Sequence, residues 1–163
     1  MNVKHFFLLL FGFFLLNSCD SVFTPQVQKY FSSVYVDTIP EHSGFLLRSV
    51  LQRMFLGTRC PKAYTLTVKI ETLERALEMG EDAKITLLHV VVRAPFTLTY
   101  GQTLVYQGQA VTYYYRTLTP SFYGQTTTQY YISQESAQQL AQQIFLELGN
   151  FFAQTQKSTD IKK

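Results

Sequence analysis

Apolar and polar positions alternate at Val34-Tyr35-Val36-Asp37-Thr38-Ile39, which predicts a half-buried strand, and Pro40 ends it. The period then changes. Leu47, Val50, Leu51 and Met54 fall at i, i+3, i+4 and i+7, one face of a helix, with Ser43 as its N-cap and Gly57 as its stop. Arg48, Gln52 and Arg53 take the polar face. Period two returns with Tyr64, Leu66, Val68 and Ile70 against Thr65, Thr67, Lys69 and Glu71, and Glu78 to Asp82 reads as a turn. A long strand follows. One of its faces holds Leu88, Val90, Val92, Ala94, Phe96, Leu98 and Tyr100, and the other His89, Arg93, Thr97 and Thr99. Pro95 has no N–H to give a ladder, so it marks an edge position or a bulge. Tyr100-Gly101-Gln102-Thr103 is a hairpin turn, and Leu104 to Arg116 returns antiparallel. Thr117 to Thr128 is expected as a loop, after which Ser133 caps a second helix with Glu135 in its first turn. Ala137, Leu140, Ala141, Ile144 and Leu148 form its apolar stripe, opposite Gln138, Gln139, Gln142, Gln143 and Glu147. Phe151 and Phe152 close the pattern.

Each helix must lay its stripe on something. Strand, helix, three strands, helix therefore predicts an α+β fold: a two-layer sandwich with a four-stranded sheet and both helices on one face. The first strand and helix form a right-handed crossover, so strand one runs parallel to a neighbour and the sheet is mixed. The domain is expected over residues 34–153, with a flexible tail at 154–163.

Ahead of this domain stand Lys4, a short apolar run from Phe6 to Leu16, and Leu16-Asn17-Ser18-Cys19. A base, an apolar segment too short to span a bilayer and a small residue before a cut are the parts of a signal peptide, here residues 1–18. Leu16 and Ser18 before Cys19 resemble the lipobox of bacterial lipoproteins, in which the Cys carries the acyl chains. Residues 19–33 are polar with scattered aromatics and read as a linker from lipid to domain. With Cys19 acylated, Cys60 has no disulfide partner and reads as a buried apolar residue or an inert thiol.

Composition narrows the function. The chain holds no Gly-x-Ser-x-Gly, no His-Glu-x-x-His, no paired-Cys motif and no Gly-rich phosphate loop, so no enzyme, metal or cofactor is expected beyond the acyl lipid. Glu71, Glu74, Glu78, Glu81 and Asp82 read as a solvated strand end and turn, and His89 as a sheet histidine. Arg48, Arg53, Arg59, Lys62 and Lys69 lie in a stretch without acids; contact with anionic groups and an ordinary solvated basic face both fit. Between Asp82 and Glu135 there is no acidic residue, and Thr, Gln and Tyr fill the polar positions. Tyr113, Tyr114, Tyr115, Tyr123, Tyr130 and Tyr131 gather around the expected loop. Tyrosines and neutral polar groups desolvate cheaply and are enriched at interfaces, so these six are the candidate partner-interface residues. Strand propensity also favours Thr and Tyr, and the two readings stand side by side.

Taken in order, these residues resemble the lipopolysaccharide-assembly lipoprotein family (LptE) in its alphaproteobacterial form. The likeness runs from Val34 to Phe152. It rests on Asp37-Thr38-Ile39, Ser43-Gly44, Leu46-Leu47-Arg48, Tyr64-Thr65-Leu66-Thr67-Val68, Leu98-Thr99-Tyr100, Val105 to Ala110 and the Ala137-Leu140-Ala141-Ile144 helix. The resemblance implies a non-enzymatic, lipid-anchored protein on the periplasmic side of the outer membrane. Its expected role is to plug and help assemble an LptD-type β-barrel and to deliver lipopolysaccharide to the outer leaflet, with no nucleic-acid partner. Asp20, after the lipid Cys, departs from relatives that have Gly there, and in enterobacteria an Asp at that place retains lipoproteins in the inner membrane. A lipid-carrier or accessory subunit of another envelope transporter is the alternative; it requires a lipid-sized apolar cavity between helices and sheet.

Overall fold

The computed structural model describes residues 24–55, 61–79, 85–118 and 122–160. Its spine is the strand β4 (Ile85–Tyr100), built by the long alternation seen in the sequence. Around it are arranged α1 (Pro25–Ser32), β1 (Val34–Val36), α2 (Glu41–Met54), β2 (Tyr64–Val68), β3 (Glu71–Met79), β5 (Thr103–Thr117) and α3 (Phe122–Asp160). The result is an α+β sandwich with a mixed sheet of five strands and three helices.

Four columns carry those five strands. β1 runs parallel to β2, with Val34 opposite Tyr64, as the crossover requires. β2 and β3 both lie antiparallel along the same flank of β4, and β5 lies along the other. Val68 pairs with Phe96 and Glu71 with Arg93, so the register is continuous through the gap. Pro95 explains the gap. Lys69 donates its N–H to the Pro95 carbonyl at 3.0 Å, and Pro95 has no N–H to return. The expectation of an edge position or a bulge at Pro95 is therefore corrected: it stands in the central strand, in register with Gln109, and interrupts the neighbouring ladder instead.

Alternation along β4 sorts the two faces as expected. Val90, Ala94, Phe96 and Leu98 are buried with Leu66 and Val68 of β2 and Ala110 of β5, under Leu47 and Leu51 of α2 and Leu140, Ala141, Ile144 and Leu148 of α3.

Four expectations change. Residues 25–32, expected within a linker, form α1. Its Val27 and Phe31 are buried, each contributing roughly 1.5–3 kcal/mol, enough to order a two-turn helix that has no stripe long enough to announce itself. Phe31 stacks on Phe145 at 4.3 Å and on Phe55 at 5.3 Å. At α2 the N-cap is Pro40, not Ser43. A Cβ on Gly44 would lie 2.7 Å from Ile39 Cγ2, so glycine lets the helix begin hard against the end of the first strand segment. Residues 71–79 extend the sheet as β3 rather than closing in a turn at Glu78. Finally, α3 begins at Phe122 and continues to Asp160, so residues 122–128 of the expected loop, the Ser133 cap and most of the expected tail are helical, while residues 119–121 lie outside the described residues. Thr and Gly disfavour a helix by under or about 1 kcal/mol per residue, and elongating a helix that is already nucleated outweighs that. Gly57, Cys60 and the segment 80–84 lie outside the described residues, as does everything before Thr24.

Candidate functional site: the uncovered sheet face

The helices cover one face of the sheet. The other carries the odd-numbered residues of β3, β4 and β5, and register sets them in rows. Leu73, Val91 and Tyr113 stand side by side across three strands, with Arg75, His89 and Tyr115 in the next row and Glu71, Arg93 and Val111 in the row beyond. His89 packs between two rings, at 5.2 Å from Tyr115 and 6.0 Å from Tyr113. Tyr113 is 67% exposed, Tyr115 59%, and Leu73 and Leu77 51% each. Toward the β2 side the rows turn to Thr67, Thr97 and Gln107, then Thr65 and Thr99. Lys69, Arg75 and Arg93 give this face a positive balance against Glu71. Large exposed apolar groups in adjacent rows are what an interaction surface presents.

Of the six candidate tyrosines, Tyr113 and Tyr115 lie on this face. Tyr114, between them, points the opposite way and is half-buried. Burial raises its phenol pKa, the Arg116 charge lowers it, and the Glu74 charge raises it again. Tyr123, Tyr130 and Tyr131 fall on α3 rather than around a loop, and their side chains lie outside the described residues. The candidate acylation residue Cys19 also lies outside them.

Beneath Tyr114, one terminal nitrogen of Arg116 sits 3.1 Å from both carboxylate oxygens of Glu74, tying β5 to β3 across β4. These side chains border a cavity of about 220 Å³ between helices and sheet, with Leu47, Val92 and Leu140 on its apolar wall and Glu41, Ser133 and Ser136 on its polar one. Ligand pockets span roughly 300–1,000 Å³ and are mostly apolar. This one is small and half polar. Among the described residues no three His, Cys, Asp or Glu side chains gather to hold a metal ion, and no helix is long and apolar enough to cross a membrane.

The outer edge of β5 meets part of the polar stripe of α3, opposite its apolar one. The Gln143 amide bonds both backbone groups of Val111, Thr112 Oγ1 contacts Gln139 Oε1, and Tyr106 donates its hydroxyl to Glu147 at 3.4 Å. The spacing 139, 143, 147 was the available signal: a line of long hydrogen-bonding side chains four residues apart.

No family model and no curated protein sequence matches the chain. Solved structures do. A candidate lipoprotein from Caulobacter crescentus CB15 superposes with a TM-score of 0.63 at 18% identity, covering 78% of this chain and 96% of that one. A minor lipoprotein from Acinetobacter baumannii gives 0.55 at 14% identity, covering 73% and 92%. The rare lipoprotein B of Shewanella oneidensis gives 0.50 at 10% identity, covering 80% and 96%. The chain shares their fold. At these identities the likeness is one of architecture, and it spans nearly the whole of each relative.

Proposed function

We propose that this chain is an envelope lipoprotein, acylated at Cys19, that works without catalysis as the plug and assembly partner of an LptD-type outer-membrane barrel that delivers lipopolysaccharide. The observation that carries this reading is the sheet face away from the helices, where Leu73, Val91 and Tyr113 form one apolar row with Leu73 51% and Tyr113 67% exposed. A protein enclosed by a partner needs a broad contact face with an apolar centre, and here charged groups stand in the rows on either side of it. The fold shared with solved bacterial lipoproteins, rare lipoprotein B among them, supports the family resemblance drawn from the sequence. The lipid-carrier alternative needs a cavity that the 220 Å³ half-polar space between helices and sheet does not offer. Asp20 keeps the inner membrane open as the site of anchoring.

The test is co-purification of the tagged chain from detergent-solubilised envelope membranes of a lipopolysaccharide-making host. Recovery of a large β-barrel is expected, and its consistent absence would sink the plug. Cys19→Ala separately tests the tether, since it should abolish palmitate incorporation.

A further inference from the structure

We propose that the end of the domain where α1 runs into the sheet is itself a membrane seat, formed by the β4–β5 hairpin tip, a tyrosine ladder and Lys29, and that it rests on the anionic surface of the bilayer holding the acyl chains. The inference rests on the lipoprotein reading above. It begins from a length. Since α1 is pinned to the core by Val27 and Phe31, the chain separating a lipid on Cys19 from the ordered domain is Cys19 to Thr24 and not residues 19–33, and no conformation lets it span more than about 18 Å. The domain is held against the membrane whichever way it faces, so the chemistry around α1 decides what the headgroups meet.

That chemistry is interfacial. Tyr30 of α1 lies 6.4 Å from Tyr64, and Tyr64 lies 5.2 Å from Tyr100 at the last position of β4. Beyond Tyr100 the chain turns through Gly101 and Gln102, and Leu104 follows on the returning strand. Tyr100 is 56% exposed and Leu104 53%, large apolar groups at a hairpin tip where a protein surrounded only by water gains nothing from them. Lys29 is exposed in the last turn of α1, and Lys62 reaches the Ser32 carbonyl at 2.9 Å, which places a second ammonium at the same end. In sequence no acidic residue stands nearer to Lys29 than Asp20 and Asp37, and none stands between Glu41 and Glu71 around Lys62. Amphipathic rings at headgroup depth with lysines beside them make a membrane-interface belt, and anionic headgroups complete the charge. The even-numbered Tyr64 and Tyr100 belong to this end and not to the row of Leu73, Val91 and Tyr113, so seating leaves the uncovered face available to a partner.

The chain contains no tryptophan, which gives a clean reporter. The full lipidated protein carrying Gln102→Trp, and separately Tyr113→Trp, is reconstituted in vesicles of phosphatidylethanolamine and phosphatidylglycerol containing brominated acyl chains. The tryptophan of Gln102→Trp should lose most of its emission and shift to the blue; that of Tyr113→Trp should keep its emission. Adding Lys29→Glu, or replacing phosphatidylglycerol by phosphatidylcholine, should restore much of the hairpin signal. Equal quenching at both positions, or none at the hairpin in protein that floats with the vesicles, overturns the seat while leaving the tether intact. Intact mass reports the tether independently. If the protein carries no acyl chains the tether reading fails, and quenching of Gln102→Trp in that unacylated protein still decides whether the tip enters the interface.

Discussion

Gln143 closes the backbone of Val111 as a neighbouring strand would: its side-chain carbonyl accepts the Val111 N–H at 2.9 Å, and its amide donates to the Val111 carbonyl at 3.0 Å. β5 is fifteen residues long and pairs only with β4 among the described strands, so its outer edge would otherwise be a template for another chain. A glutamine provides both a donor and an acceptor in one planar group, matching the alternation of an edge strand.

Gln143→Leu should therefore do two things. Losing two partly solvated hydrogen bonds costs about 1 kcal/mol of folding stability, read by urea unfolding. The freed edge should also raise self-association at high concentration, read by light scattering. Gln142→Leu, one residue away on an exposed position of the same helix, is the control and should do neither. If the two variants behave alike, the edge-blocking role is wrong.

Gly101 and Gly108 are required for different physical reasons, and substitutions separate them. Gly101 sits in the hairpin at φ 60° with open space around it, so the demand is conformational. Gly101→Asn should be nearly neutral, while Gly101→Val should cost more than 1 kcal/mol because a β-branched residue resists the left-handed region. At Gly108 the demand is for room: a Cβ would lie 2.6 Å from Phe96 Cζ and collide with Glu147 Oε2. Here even Gly108→Ala should cost about 1–3 kcal/mol by overpacking, measured as a lower denaturant midpoint. An Ala that is harmless at 108 would show that the Phe96 ring and Glu147 can move aside.

What the sequence made legible follows from how each signal arises. The faces of β4 were readable because sixteen residues repeat one period, and the stripe of α3 from Ala137 to Leu148 was readable for the same reason. α1 was missed because two buried side chains in eight residues set no period; its order comes from Phe31 meeting Phe55 and Phe145, residues far along the chain. The site was half legible. Tyrosine enrichment pointed to Tyr113 and Tyr115, but strand alternation sends Tyr114 to the opposite face. Leu73 and Val91 complete the apolar row only through the β3–β4 register, which no single segment contains.

Three phenols give the fold an alkaline limit. Burial is the main cause at Tyr64 and Tyr106; the charges of Tyr30 and Tyr100 add to it at Tyr64, and the Glu147 charge and hydrogen bond add to it at Tyr106. At Tyr114 burial outweighs the opposing Arg116 charge. All three are raised above the ordinary 10.0, so the folded state holds these protons more tightly than the unfolded chain. Their contribution is fully present below about pH 10 and is lost as pH rises through the folded pKa values. Stability should accordingly be insensitive to these groups near neutrality and fall above about pH 10, with a late-ionising tyrosinate absorbance that coincides with unfolding. Tyr106→Phe should lessen the slope, and an unchanged slope would remove Tyr106 from the account.

The uncovered face makes the sharpest separation between folding and association. Leu73 and Tyr113 flank Val91 and are 51% and 67% exposed, so Leu73→Ser with Tyr113→Ser removes apolar surface that the folded chain alone does not bury. Exposed substitutions of this kind change stability by about 0.5 kcal/mol or less each, whereas Leu148→Ala, at a fully buried position, should cost about 2–5 kcal/mol. Burial of the same row against a partner inverts that ranking for binding. The double serine variant should unfold at a denaturant concentration close to the parent's, yet recover far less β-barrel in co-purification, because each apolar group lost from an interface core forfeits its burial. Leu148→Ala, assayed where it is still folded, should recover the barrel as the parent does. Undiminished recovery by the double variant would move the interface off this face, to the helix side or the hairpin end.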